Sequence, residues 1–204
     1  FLCRRRPDLT AARYTERLLH GHVPLALRHH PTLAKYVVNV VEETPPGAPA
    51  LDSVGELSFA QLDDYRDRLY DSPAGAAIVQ QDVAGFLGGA DAYVTTEHVQ
   101  KSVTPAAPLG TRSAGVKLVC PILRRADLTH EEFVAHWLGR HVPLALEHHP
   151  GLGKYVTNVV DTRLSPTGEA WDGIAELHFP SAGALAAGLF ASPEGERAIR
   201  DDIA

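Results

Sequence analysis

The stretch GHVPLALRHHP at residues 21–31 returns as RHVPLALEHHP at residues 140–150. Its recurrence decides how the rest of the chain is parsed, because self-similarity at a fixed offset marks repeated architecture. Working outward, RRRPDLT (residues 4–10) matches LRRADLT (123–129), and LAKYVVNVVE (33–42) matches LGKYVTNVVD (152–161). DSVGELSF (52–59) matches DGIAELHF (172–179), and SPAG (72–75) matches SPEG (192–195). The offset is 119 from Thr10 to Thr129 and 120 from Asp52 to Asp172, so one residue separates the two copies in the intervening loop. A period this long means two copies of a domain. We divide the chain into repeat one at residues 1–99, a Pro/Gly/Ser/Thr-rich linker at 100–115, and repeat two at 116–204. Both ends look clipped: Phe1 opens part-way through a strand that repeat two carries whole, and the last strand of repeat two would lie beyond Ala204.

Bulk properties narrow the function classes. A chain of 204 residues holds one large or two small domains. The formal net charge of -6 argues against a nucleic-acid partner, which would need a basic face. No signal peptide and no apolar run long enough to span a bilayer is present, so no membrane partner is expected. The two cysteines, Cys3 and Cys120, have no metal-ligand spacing and read as buried thiols of a reducing cytoplasm. No nucleotide fingerprint, phosphate loop or zinc spacing occurs, and GFLGGAD (85–91) reads as a helix stop and turn.

Each repeat has a legible order. GVKLVCPIL is a β-run, followed by a helix that Thr129 caps and Glu132 completes as a capping box. Phe133, Trp137 and His141 recur every four residues on one helix face, as do Tyr14, Leu18 and His22. Pro24 and Pro143 predict a kink or restart there. A strand over KYVTNVV, a loop, a strand over GIAELHF and a second helix broken near Ser192-Pro193 follow. DAYVTTEHV (91–99) reads as the last strand of repeat one. The order β-α-β-β-α-β is ferredoxin-like, an antiparallel sheet with helices on one face. The predicted fold is α+β: two ferredoxin-like (βαββαβ) repeats packed sheet to sheet as an intrachain dimeric α+β barrel.

The ordered series Arg-Arg-x-Asp-Leu-Thr, His-Val-Pro-Leu, Lys-Tyr-Val-x-Asn, Asp-Gly-Ile-Ala-Glu-Leu-x-Phe and Ser-Pro-Glu-Gly resembles the EthD family, over nearly the whole chain and twice. The resemblance implies a dimeric α+β barrel enclosing a cavity. The family's namesake belongs to bacterial ether degradation, and fungal relatives act as dehydratase or decarboxylase partners in aromatic polyketide pathways. Related barrels include cofactor-free monooxygenases, lactone isomerases and haem peroxidases, so the fold alone does not settle the reaction. The expected function is an EthD-like enzyme, lyase- or oxidoreductase-type, using cofactor-free acid/base chemistry on a small apolar, aromatic polyketide-like compound. The chemistry would be dehydration, decarboxylation, cyclisation or a substrate-supported oxidation. The alternatives are a non-catalytic ligand-binding accessory protein and a haem-binding barrel. The chain would work as a monomeric pseudo-dimer or a homodimer.

His22 and His141 are the candidate acid/base groups, since imidazole both takes and gives a proton near neutrality. The competing reading is a core histidine bonded to a carbonyl that the nearby proline leaves free. Tyr14, Tyr36, Tyr155, Trp137 and Thr157 are candidate substrate-binding residues, against a packing role for each. Asn39 and Asn158 fall on the opposite strand face from Tyr36 and Tyr155. Glu56 and Glu176, mid-strand among apolar residues, need a partner if buried, and His22 or His141 is the expected one. His29-His30 and His148-His149 read as exposed helix-end caps, weak as metal sites. Repeat two is expected to hold the better pocket, because Trp137 replaces Leu18 and Thr157 replaces Val38.

Overall fold

The computed structural model describes all 204 residues, Phe1 to Ala204, and the chain forms two compact units. The first comprises Phe1–Ala92 and Leu164–Gly168, the second Tyr93–Arg163 and Glu169–Ala204.

Unit one runs β1 (Leu2–Arg5), α1 (Ala11–Glu16), a π-helical segment (Arg17–His22), α2 (Val23–His29), β2 (Leu33–Val40), β3 (Ser53–Phe59), α3 (Leu62–Arg66), α4 (Pro73–Ala84) and β4 (Leu87–Asp91). The antiparallel sheet has the order β2-β3-β1-β4, which is the ferredoxin-like order. Most of the repeated Arg-Arg-x-Asp-Leu-Thr motif is spent on this frame. Arg5 pairs through its guanidinium and its backbone N–H with Asp52, Arg6 pairs with Asp8, and the Thr10 hydroxyl caps α1 by accepting from the Arg13 N–H. Arg124–Asp172, Arg125–Asp127 and Thr129–Glu132 repeat the pattern in unit two.

The kink or restart expected at Pro24 takes the form of a change of helical pitch: the π segment ends at His22 and α2 starts at Val23 with Pro24 in its first turn. Proline has no N–H to donate, and the preceding Val23 N–H bonds the Leu18 carbonyl five residues back. A π turn of this kind widens the helix without ending it. The widening also keeps the row Tyr14, Leu18, His22 together, since four residues overshoot one α-turn by about 40°. Val142 and Trp137 do the same before Pro143.

Unit two runs β5 (Tyr93–Ser102), β6 (Val116–Ile122), α5 (His130–His136), a π-helical segment (Trp137–His141), α6 (Val142–His148), β7 (Lys154–Arg163), β8 (Gly173–Phe179), α7 (Ala182–Gly188) and α8 (Pro193–Ile203). Its antiparallel sheet has the order β5-β7-β8-β6. Two expectations change here. Residues 91–99 are not the last strand of repeat one: β5 pairs along β7 of the second sheet, and the contiguous part of unit one stops at Ala92 rather than at residue 99. The closing strand of the first sheet is β4, drawn from GFLGGAD, where the sequence predicts a helix stop and turn. Its glycines suit a strand pressed on a neighbour: a Cβ on Gly88 would stand 2.5 Å from the Arg5 carbonyl oxygen. The cysteines also differ, Cys3 being buried and Cys120 exposed on the edge strand β6. No helix is long and apolar enough to cross a membrane.

Candidate functional site

A cavity of about 380 Å³ opens inside unit one, between its helices and its sheet. The helices contribute Tyr14, Leu18, His22 and Ala26, in four-residue steps, and the sheet contributes Cys3, Tyr36, Val38, Ser53, Gly55 and Leu57. The register explains the sheet wall. Tyr36 lies opposite Leu57, Val38 opposite Gly55 and Val40 opposite Ser53, so alternate residues of both strands face the helices. Tyr65, Tyr70 and His30 line another part of the cavity.

His22 is held on two sides. Its Nδ1 bonds the Asp82 carboxylate of α4 at 3.1 Å, and its ring lies 5.2 Å from Phe86. A carboxylate partner makes Nδ1 the protonated nitrogen and leaves Nε2 as an acceptor. Burial pushes the imidazole below its ordinary value, against the Asp82 charge, which pulls upward. The Tyr14 hydroxyl shares a hydrogen bond of 2.7 Å with Ser53 Oγ, and burial pushes the phenol up to about 12 despite that bond. Burial raises Tyr36 and the Cys3 thiol as well.

His30 is not an exposed cap. It is buried, its Nδ1 bonds the Leu69 carbonyl at 2.8 Å, and its ring packs on Tyr70. His29 does serve as a tie, bonding Asp71 at 3.0 Å.

The structure thus gathers Tyr14, His22 and Tyr36 at one cavity and leaves Glu56 out. Glu56 sits opposite Val37, on the other face of the sheet, and accepts from the Asn39 amide at 2.5 Å. Glu176 likewise accepts from Asn158 at 2.8 Å and from Lys117 Nζ at 2.7 Å. Burial alone would raise the Glu176 pKa, but His178, Lys117 and Asn158 outweigh it and hold it low. The expected pairing of these glutamates with His22 and His141 does not form. Both histidines turn to aspartates that sequence reasoning missed, His141 Nδ1 meeting Asp202 at 2.9 Å. A signal existed, since Asp82 and Asp202 stand 120 residues apart, the offset of the second half of the repeat. Ser53, Tyr65, Tyr70 and Phe86 carried no such signal.

The placements of Trp137 and Thr157 do not support the expectation that repeat two holds the better pocket. Trp137 is buried in the core with Phe133 and Tyr155, and a Cβ on Gly173 would stand 2.3 Å from the indole. The indole therefore fills the ground over Gly173, the counterpart of cavity-lining Ser53. Its N–H faces the Tyr155 hydroxyl without closing a bond of normal geometry, and burial pushes Tyr155 up to about 12. Thr157 is fully buried and accepts from Gln100 Nε2 of β5 at 2.9 Å, so its hydroxyl is spent on the sheet edge. His141 keeps the aspartate bond, and Asp202 also meets His136 and Arg140, as Asp82 also meets Arg17.

Among curated proteins, none matches this chain. The sequence profile of the EthD domain matches residues 6–90 and again residues 125–204. Those two segments cover most of the chain and coincide with the two repeats, and the chain therefore belongs to the EthD domain family, with the domain present twice.

Proposed function

We propose that the protein is an enzyme for a small, largely apolar, oxygen-bearing molecule, and that repeat one carries its site. The observation that carries this reading is His22 in the wall of an otherwise mainly apolar cavity, with Asp82 bonded to its Nδ1 from outside the lining. Asp82 selects the tautomer, burial favours the neutral ring, and Nε2 is left to take a proton from bound substrate and return it. This is proton-transfer chemistry of the kind that drives dehydration, decarboxylation or cyclisation, with Tyr14 and Tyr36 orienting the substrate. Repeat two serves as scaffold in this reading, because Trp137 occupies the matching space.

One observation favours a second reading, a non-catalytic ligand carrier. His141–Asp202 recurs where the space is filled, so the pair also has a structural use in tying the π segment to the last helix. The two readings separate experimentally. Ligand extracted from the purified protein is identified by mass spectrometry and offered back to wild type and His22→Gln. An enzyme transforms it, and the variant keeps its fold and binding but loses roughly a hundredfold or more in turnover. A wild-type protein that returns the ligand unchanged, or a variant that turns over normally, overturns the enzyme reading.

A further inference from the structure

The two repeats provide an internal control on which cavity groups the fold requires. At matched positions repeat two has Phe133 for Tyr14, Gly173 for Ser53, Leu185 for Tyr65 and Phe190 for Tyr70. Each change deletes a hydroxyl, and repeat two still builds the matching helices and the three matching strands β6, β7 and β8 without them. By contrast, the bonds that frame the unit are kept: His30 and His149 each bond a leucine carbonyl, and His22 and His141 each bond an aspartate. These hydroxyls of repeat one are therefore surplus to folding, and all four line its cavity.

Tyr14 and Ser53 form the most enclosed of these groups, being 1% and 2% exposed. Their oxygens are 2.7 Å apart and either can donate. One shared hydrogen bond uses one of two hydroxyl protons, so one proton remains. Beside the pair stand the Cys3 thiol, a weak acceptor, and the Tyr36 phenol, which lines the same cavity. A buried O–H without a strong acceptor is costly, and a ligand oxygen that accepts from it recovers the loss. No lysine, arginine, aspartate or glutamate side chain lines the cavity, so a charged ligand would be stripped of water without a counter-charge.

We infer that the Tyr14–Ser53 hydroxyl pair is the recognition point for a carbonyl oxygen, and that the ligand class is an uncharged carbonyl compound with an apolar body. The inference rests on the reading of this cavity as the ligand site and adds the specificity-determining residues.

The test uses two bicyclic probes of matched shape, the ketone α-tetralone and the hydrocarbon tetralin, titrated calorimetrically into the full chain. Wild type should prefer the ketone. Tyr14→Phe should lose about tenfold in ketone affinity and leave tetralin affinity unchanged, the size expected for one hydrogen bond. The Phe133 precedent shows that a phenyl ring suits this helix position, and Ser53→Ala gives an independent arm should Tyr14→Phe unfold. Equal affinity of wild type for the two probes, or an undiminished ketone preference in the folded variants, overturns the inference while leaving the cavity as the site. Failure of both probes to bind wild type overturns the cavity reading together with the inference.

Discussion

At the scale of single residues, the chemistry turns on how His22 is poised. Its imidazole is held below the ordinary value near 6.5 by burial, and the Asp82 carboxylate limits the drop. Two pH effects follow with the same sign. As pH falls through 6.5 the unfolded chain takes up a proton that the folded chain still resists, so stability declines and levels off below the folded value. Turnover declines over the same range as Nε2 becomes protonated. The acid limb of the pH–rate profile should therefore inflect below 6.5, and Asp82→Asn should move it lower still while reducing the plateau rate. An inflection above 6.5, or an upward move in the variant, would count against this assignment. How far sequence reached here depended on the residue. Tyr14, Leu18 and His22 were legible as one face because they share a four-residue step. Glu56 was not, because a one-residue difference in strand register decides which face a side chain takes. Trp137 was read as a wall and is a plug, since bulk in a sequence does not say whether space was left beside it.

At the scale of elements, the repeated Ser-Pro-x-Gly motif shows how helices are seated. Ser72 caps α4 by accepting from the Gly75 N–H, and Pro73 occupies the first turn, where its missing N–H costs nothing. The glycine leaves room for the end of α2. A Cβ on Gly75 would stand 2.0 Å from Asp71 Oδ1 and 2.7 Å from His29 Nδ1, crowding the two side chains whose Nδ1–Oδ2 bond ties these segments. Gly195 holds the same place against His148 at 2.8 Å. Alanine for glycine normally strengthens a helix by roughly 0.5–1 kcal/mol. Here the sign should reverse, and Gly75→Ala should lose about 1–3 kcal/mol by crowding. A thermal melt that shows Gly75→Ala unchanged or stabilised would refute the crowding argument. The caps and helix limits were legible because capping chemistry is local. The π segments were not, because the sequence shows only a proline, and the choice between a break and a wider turn depends on what the following residues pack against.

At the scale of the whole molecule, the duplication was legible from matched phrases, and with it the β-α-β-β-α order that the two halves share. The allocation of residues 93–102 was not. Strand pairing joins residues far apart in sequence, and nothing local in YVTTEHVQKS names its partner. That strand follows the first sheet in the chain and completes the second, bonding along β7 through its length. The seam of the duplication and the seam of the folded units therefore fall in different places. A fragment spanning 116–204 would bare the full edge of β7, a row of unsatisfied peptide groups that invites intermolecular pairing. A fragment spanning 93–204 keeps that edge covered. Light scattering should find the shorter piece aggregated and the longer one less so, and equal behaviour of the two would show that β5 contributes no protection. For anyone seeking to divide this protein into modules, or to graft one half onto another scaffold, the cut belongs ahead of Tyr93. A splice made where the phrases begin to rhyme would leave one module missing a border that is written in the other's text.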